Sequence, residues 1–218
     1  MHAYALIHQP IDATAMPKGV MGSLQLWGQD GLFAVVEPKL QIDDVQKDNE
    51  TLLNAVLTHD RVICELFQKT TVLPLRFNSF LPPEALLTDL TVNRQHYLSC
   101  LDQLDGKAEY TVKLIPIPFK EEPISGEMKG KEYFLAKKQL NLAAQQWQEQ
   151  QIFQLEQITQ SFAEQYPIHV NLEMHQIYLL GDRCNLNKVT NILTQVQNAN
   201  KCWQLSISEP LPPFHFVQ

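Results

Sequence analysis

His59 and Asp60 are the first residues of this chain whose types could do chemistry, a base beside an acid. General acid–base work needs the imidazole positioned within reach of the proton it moves. Neighbours on a helix point about 100° apart, so these two side chains do not face one another. His59 also falls on the apolar stripe of its helix, the place of a hydrogen-bonded core histidine. No nucleophile is tied to it by spacing. His96 and Cys100 stand four apart and would give two metal ligands on one helix face. Zinc needs at least one more, and no C-x2-C or H-E-x-x-H accompanies the pair. His169 and His175 fall on different strands. The eight glycines are scattered singly, so there is no phosphate loop. Asp43-Asp44 and Glu121-Glu122 read as solvated pairs. No cofactor or metal is expected, and no residue set gives catalysis specific support.

The heptapeptide Thr71-Val72-Leu73-Pro74-Leu75-Arg76-Phe77 is unusual in another way. It reads as a strand with a proline in its middle and an arginine near its end. Proline cannot donate to a ladder, so its strand belongs at an edge or a bulge. Arginine carries five fixed donors and seeks a partner. A carboxylate or phosphate ligand would serve, and so would an internal ion pair to the helix bearing Asp60, which is the simpler account. The tail is also distinctive: Pro210, Pro212 and Pro213 stiffen it toward polyproline II, and Phe214 and Phe216 share a side if it is extended. Such a pre-ordered aromatic segment can dock on its own core or on a partner at little entropic cost.

Those residues need a framework, and 218 residues suffice for one large domain or two small ones. Apolar content of 44% is that of a folded chain, and a net charge of −7 disfavours nucleic acid and anionic membrane surfaces. No apolar run spans a bilayer, and the first residues lack the pattern of a signal peptide. Four cysteines without paired spacing (Cys64, Cys100, Cys184, Cys202) suit reduced thiols in the cytoplasm.

Residues 2–7, 20–28 and 32–37 read as strands, the last two a hairpin around Asp30-Gly31. A helix follows over about 50–69, capped by Asp48 or Asn49, with Leu52, Val56, His59, Ile63, Leu66 and Phe67 as its stripe. After the Pro74 strand comes one helix from Pro82-Pro83 to about Gln103, then a strand over 109–117. Residues 118–130, rich in proline and glycine, mark a boundary between domains 1–125 and 126–218. A glutamine-rich helix follows over 131–165, its stripe Leu140, Ala144, Trp147, Leu155, Ile158 and Phe162 interrupted by Gln151. Its polar side reads as a solvated face, with a partner surface as the alternative. Strands at 166–174 and 176–180, a helix at 185–199 capped by Asn185 and a strand at 202–208 complete the chain. In the first of these, Ile168, Val170, Leu172 and Met174 alternate as one buried face. The class is α+β, and the second half fits a ferredoxin-like unit.

In combination these motifs resemble the GvpL/GvpF family of gas vesicle proteins. The order carries the likeness: His59-Asp60 with Val62, then Val72 to Phe77, then Val112-Lys113, Gly130-Lys131-Glu132-Tyr133-Phe134-Leu135, Tyr178-Leu179-Leu180, and Pro212-Pro213-Phe214-His215-Phe216. Asp60 stands where the family usually has glutamate, Asn78-Ser79 where glycine and threonine are common, and Leu211 where an aromatic is common. The resemblance implies an amino-terminal α/β domain and a carboxy-terminal, modified ferredoxin-like domain. It implies a non-enzymatic role in assembling gas vesicles, the hollow protein shells that give buoyancy, within the cytoplasm. The implied partners are the small, hydrophobic main shell protein and other accessory proteins. His59, Asp60, Leu73, Pro74, Leu75, Arg76, Phe77, Pro212, Pro213, Phe214 and Phe216 are the signature and candidate contact residues. A cytosolic assembly chaperone not retained in the vesicle, or an enzyme using His59, Asp60 and Arg76, are the alternatives.

Overall fold

The computed structural model describes residues 1–121 and 129–217, so the boundary expected at 125/126 lies outside the described residues. The chain forms two compact units: Met1–Glu109 with Asp182–Cys184 and Pro210–Gln218, and Tyr110–Gly181 with Asn185–Glu209. These bounds differ from a cut at 125, because the strand begun at Lys107 passes into the second unit and the proline-rich tail rejoins the first.

The first unit is a four-stranded sheet in the order β2-β3-β1-β4 with helices α1 to α4. Its strands are β1 (His2–Ile7), β2 (Gln25–Gln29), β3 (Leu32–Glu37) and β4 (Val72–Pro74). β1 is buried along its whole length, as a central strand covered on both faces must be. The β2–β3 hairpin closes on Asp30 and Gly31, both at positive φ, which is the two-residue turn whose twist suits the strands. β2 is shorter than expected, since residues 20–22 form a loop held by a side chain described below.

Helices α1 (Ile42–Val45) and α2 (Asn49–Phe67) follow β3. Asp48 caps α2, accepting from the Thr51 amide at 2.7 Å. Asp48→Ala should therefore lower stability by about 1 kcal/mol, measurable as a lower urea midpoint. The single helix expected after Pro82 is two, α3 (Pro83–Val92) and α4 (Arg94–Leu104), broken at Asn93. There the Asn93 amide donates to Asp89 at 2.7 Å, after two β-branched residues, Thr91 and Val92, that weaken the helix.

The second unit holds β5 (Lys107–Pro116) from Tyr110 on, α5 (Lys131–Ala163), β6 (Ile168–Asn171), β7 (Gln176–Asp182) up to Gly181, α6 (Leu186–Ala199) and β8 (Trp203–Ile207). Its sheet order β6-β7-β5-β8 is that of the split βαβ arrangement expected of a ferredoxin-like unit. β6 is shorter than the alternation suggested. Leu172 and Met174 are exposed in a turn, where Asn171 accepts from the Met174 amide and His175 takes a positive φ. The local Asx hydrogen bond wins over continuation of the strand. Two glutamines of α5 are not merely solvated: Gln151 donates to the Ile117 carbonyl at 2.8 Å, and Gln154 accepts from the Lys201 and Cys202 amides. Ile158 and Phe162 alone of that helix are fully buried among its described residues.

Candidate functional site

The interior of the first unit holds a polar network that begins at Glu37, only 1% exposed at the end of an apolar strand. Its carboxylate accepts from the Tyr4 hydroxyl at 2.6 Å and from the amides of Val20, Met21 and Gly22 at 2.6 to 2.8 Å. Gly19 is needed beside it, since a Cβ there would lie 2.3 Å from a Glu37 oxygen. Tyr4 reaches the site because the β1–β3 register slips between Ala3 and Ala5, a bulge that re-aims the intervening side chain. Burial, then the Glu37 carboxylate, pushes the Tyr4 phenol well above its ordinary range, so it stays a donor.

His59 stacks on Tyr4 and continues the network. Its Nε2 lies 2.9 Å from the Leu75 carbonyl and its Nδ1 lies 2.9 Å from His2 Nε2. A carbonyl only accepts, so His59 carries its proton on Nε2 and receives the His2 N–H on Nδ1. Burial lowers the pKa of His59, and burial, the adjacent His59 and the terminal ammonium bring His2 down to about 3. Phe77 and Phe80 close the cluster around His2.

The signature strand is thereby explained. β4 is an edge strand in hydrogen-bond order, and Pro74 pairs with Ala5 there. Val72, Leu73 and Pro74 are nevertheless buried, so this is not an open docking edge. Leu75 leaves the ladder to accept from His59, and Phe77 is half-buried against the histidines. Arg76 corrects the expected ion pair: it and Asp60 are both exposed, and no ion pair joins Arg76 to any group among the described residues. The structure does not bring His59, Asp60 and Arg76 together, since His59 is sealed with both ring nitrogens engaged.

The tail docks on its own unit. Leu211 and Glu109 exchange backbone hydrogen bonds at 2.9 Å, and the buried Glu109 carboxylate accepts from the His215 amide and Nδ1 at 2.8 Å. Pro212 and Pro213 are buried, whereas Phe214 and Phe216 stay partly exposed. His96 Nε2 and Cys100 Sγ approach to 3.7 Å, but no group of three metal-ligating side chains gathers among the described residues.

Sequence reasoning missed His2, Tyr4 and Glu37. The usable signal was Glu37 itself, a charge continuing the apolar run Leu32 to Val36. It also missed a groove of about 430 Å³ in the first unit, along the exposed edge strand β2, lined by Gly28, Leu32, Leu87, Leu90 and Arg94. The Arg94 guanidinium is held at its rim by a hydrogen bond to the Asp30 carbonyl.

The family model described as "Gas vesicle synthesis protein GvpL/GvpF" matches residues 1–218. The chain belongs to the GvpL/GvpF family. Within that family it is similar to gas vesicle protein F of Streptomyces sp. (strain CB03234), 24% identical over 202 residues that cover 81% of this chain and 83% of that one. Its fold matches the crystal structure of GvpF from Anabaena sp. PCC7120 with a TM-score of 0.69 at 15% identity, covering 100% of this chain and 95% of that one. GvpF from Microcystis aeruginosa matches with a TM-score of 0.67 at 12% identity, covering 100% and 98%. These likenesses fix the mixed α/β architecture with its two four-stranded sheets and long helix. No helix among the described residues is long and apolar enough to cross a membrane.

Proposed function

We propose that this chain is an accessory or minor structural protein of gas vesicles, acting in the cytoplasm, that takes part in their assembly by binding the main hydrophobic shell protein without catalysis. The observation that carries the reading is the β2–α3 groove of the first unit. It combines the edge strand β2, with no further strand paired to it among the described residues, with buried Leu32 and Leu90 and exposed Leu87 in its lining. A strand edge beside apolar pockets recognises an extended or helical apolar segment, which a shell subunit exposes before it assembles. A catalytic role is disfavoured because His59, the residue suited to act as a base, spends both nitrogens on structural hydrogen bonds. The exposed Arg76 and, separately, the partly exposed Phe214 and Phe216 of the tail offer smaller contact points for this or another accessory protein.

The full-length chain carrying Leu87→Asp should capture the main shell protein about 10-fold less well than wild type, with an unchanged circular dichroism melt. Arg76→Glu should have the smaller effect. Wild-type capture by Leu87→Asp, with loss in Arg76→Glu, would move the contact away from the groove. Failure of wild type to capture the shell protein at all would remove the reading.

A further inference from the structure

Helix α5 carries large apolar side chains on the side away from its sheet. Phe134, Leu135, Leu142, Ile152 and Phe153 are between 52% and 72% exposed. At about 100° per residue they fall within an arc of about 100°, opposite Leu155, Ile158 and Phe162. Lys131, Lys138, Glu149 and Glu156 lie on the same arc, and all are exposed. The arrangement is symmetric about the point between Ala143 and Ala144. Phe134 mirrors Phe153, Leu135 mirrors Ile152, Lys138 mirrors Glu149, and Lys131 mirrors Glu156. Two of these apolar residues thus pair with the other two and each lysine pairs with a glutamate, while Leu142, next to the midpoint, has Gln145 as its mirror position.

Such a stripe is self-complementary under one operation, a two-fold axis through that midpoint with the helices antiparallel. An isologous interface of this kind pairs residue i with j and j with i. Over the ~38 Å from Lys131 to Glu156 it would set lysine on glutamate at both ends and again nearer the axis, with phenylalanine on phenylalanine between them. Leu142 of each copy would meet near the axis. A second observation points the same way. Lys131, Lys137 and Lys138 occupy the N-terminal part of the helix and Glu149, Glu156 and Glu164 its C-terminal part and end; only Glu132 runs against the trend. An antiparallel copy brings each set beside the opposite charge.

We propose that the exposed face of α5 is a homodimerisation surface, occupied by α5 of a second copy of this chain in antiparallel register. Ion pairs give the register and the apolar side chains the contact area. With few apolar anchors per copy the dimer is a reversible one, favoured as the protein becomes concentrated.

Sedimentation velocity of the full-length protein from about 1 to about 200 μM tests this. Wild type should pass from monomer to dimer in that range. Lys131→Glu with Lys138→Glu, or Glu149→Lys with Glu156→Lys, should each weaken the homodimer about 10-fold or more by placing like charges at four contacts. Mixing the two variants should restore dimer, because every contact then joins opposite charges, and so should all four substitutions in one chain. A wild type that stays monomeric throughout overturns the proposal and leaves the stripe to a different protein. So does a dimer that ignores the charge changes, or variants that fail to complement on mixing while keeping their helical signal.

Discussion

Glu37→Gln is expected to cost about 3 kcal/mol of folding stability. Each carboxylate oxygen accepts twice, one from the Met21 and Gly22 amides and the other from the Val20 amide and the Tyr4 hydroxyl. A glutamine must put its NH₂ where one of those oxygens stood, facing two donors with a third. With the NH₂ on the Val20 and Tyr4 side the Tyr4 hydroxyl can turn to accept from it, and the Val20 amide is left without its acceptor at about 1 to 3 kcal/mol; the other placement strands two amides. The remaining pair also lose the charge that strengthened them. Tyr4→Phe removes a single donor and should cost only about 1 kcal/mol. Urea denaturation of the two variants side by side checks the ordering. Hydrogen exchange should speed up at Val20, Met21 and Gly22 in Glu37→Gln alone. A Glu37→Gln midpoint equal to wild type would mean that the loop is held by something other than this carboxylate.

The elements governed by local rules were legible before the fold was known. Alternation and the Asp30-Gly31 turn located β3 and its hairpin, and Asp48 and Asn185 mark the starts of α2 and α6 because each side chain accepts from its own first turn. His59 was legible as a core histidine from its place on the stripe. What failed to show in the sequence was settled by partners far along the chain. Glu37 binds groups 15 to 33 residues away, and His59 joins residues 57 positions before it and 16 after it. Nothing local announces such pairs. Arg76 misled for the opposite reason: a residue type that usually finds an internal partner here faces solvent, and the oddity of its strand belongs instead to Pro74 and Leu75. At Asn93 and Asn171, side-chain hydrogen bonds to near neighbours ended elements whose apolar pattern ran on. The glutamines of α5 could not be sorted from sequence, since some bind backbone groups and others face water.

The histidine pair gives the protein a built-in sensitivity to acid, with a sign that follows from burial. His2 has no exposed surface, and its folded pKa is brought down to about 3 from an ordinary 6.5. Between those values the unfolded chain binds a proton at His2 that the folded chain refuses, so stability is full above about pH 6.5 and falls as the pH drops. The slope is about 1.4 kcal/mol per pH unit for one such group. Passing from pH 7 to 5 should therefore remove about 2 kcal/mol through His2 alone. His59, shifted in the same direction, adds to the loss. Its protonation would also turn Nδ1 from acceptor to donor and set it against the His2 N–H. The window lies above the range in which ordinary carboxylates titrate, which isolates the histidines. Glutamine can imitate both roles, donating from its amide nitrogen and accepting at its oxygen. His2→Gln with His59→Gln should thus fold at pH 7 and lose less than half as much stability as wild type on moving to pH 5. Urea midpoints at the two pH values decide the matter. Equal wild-type midpoints, or a slope that survives in the double variant, would show that the pair does not carry the acid response.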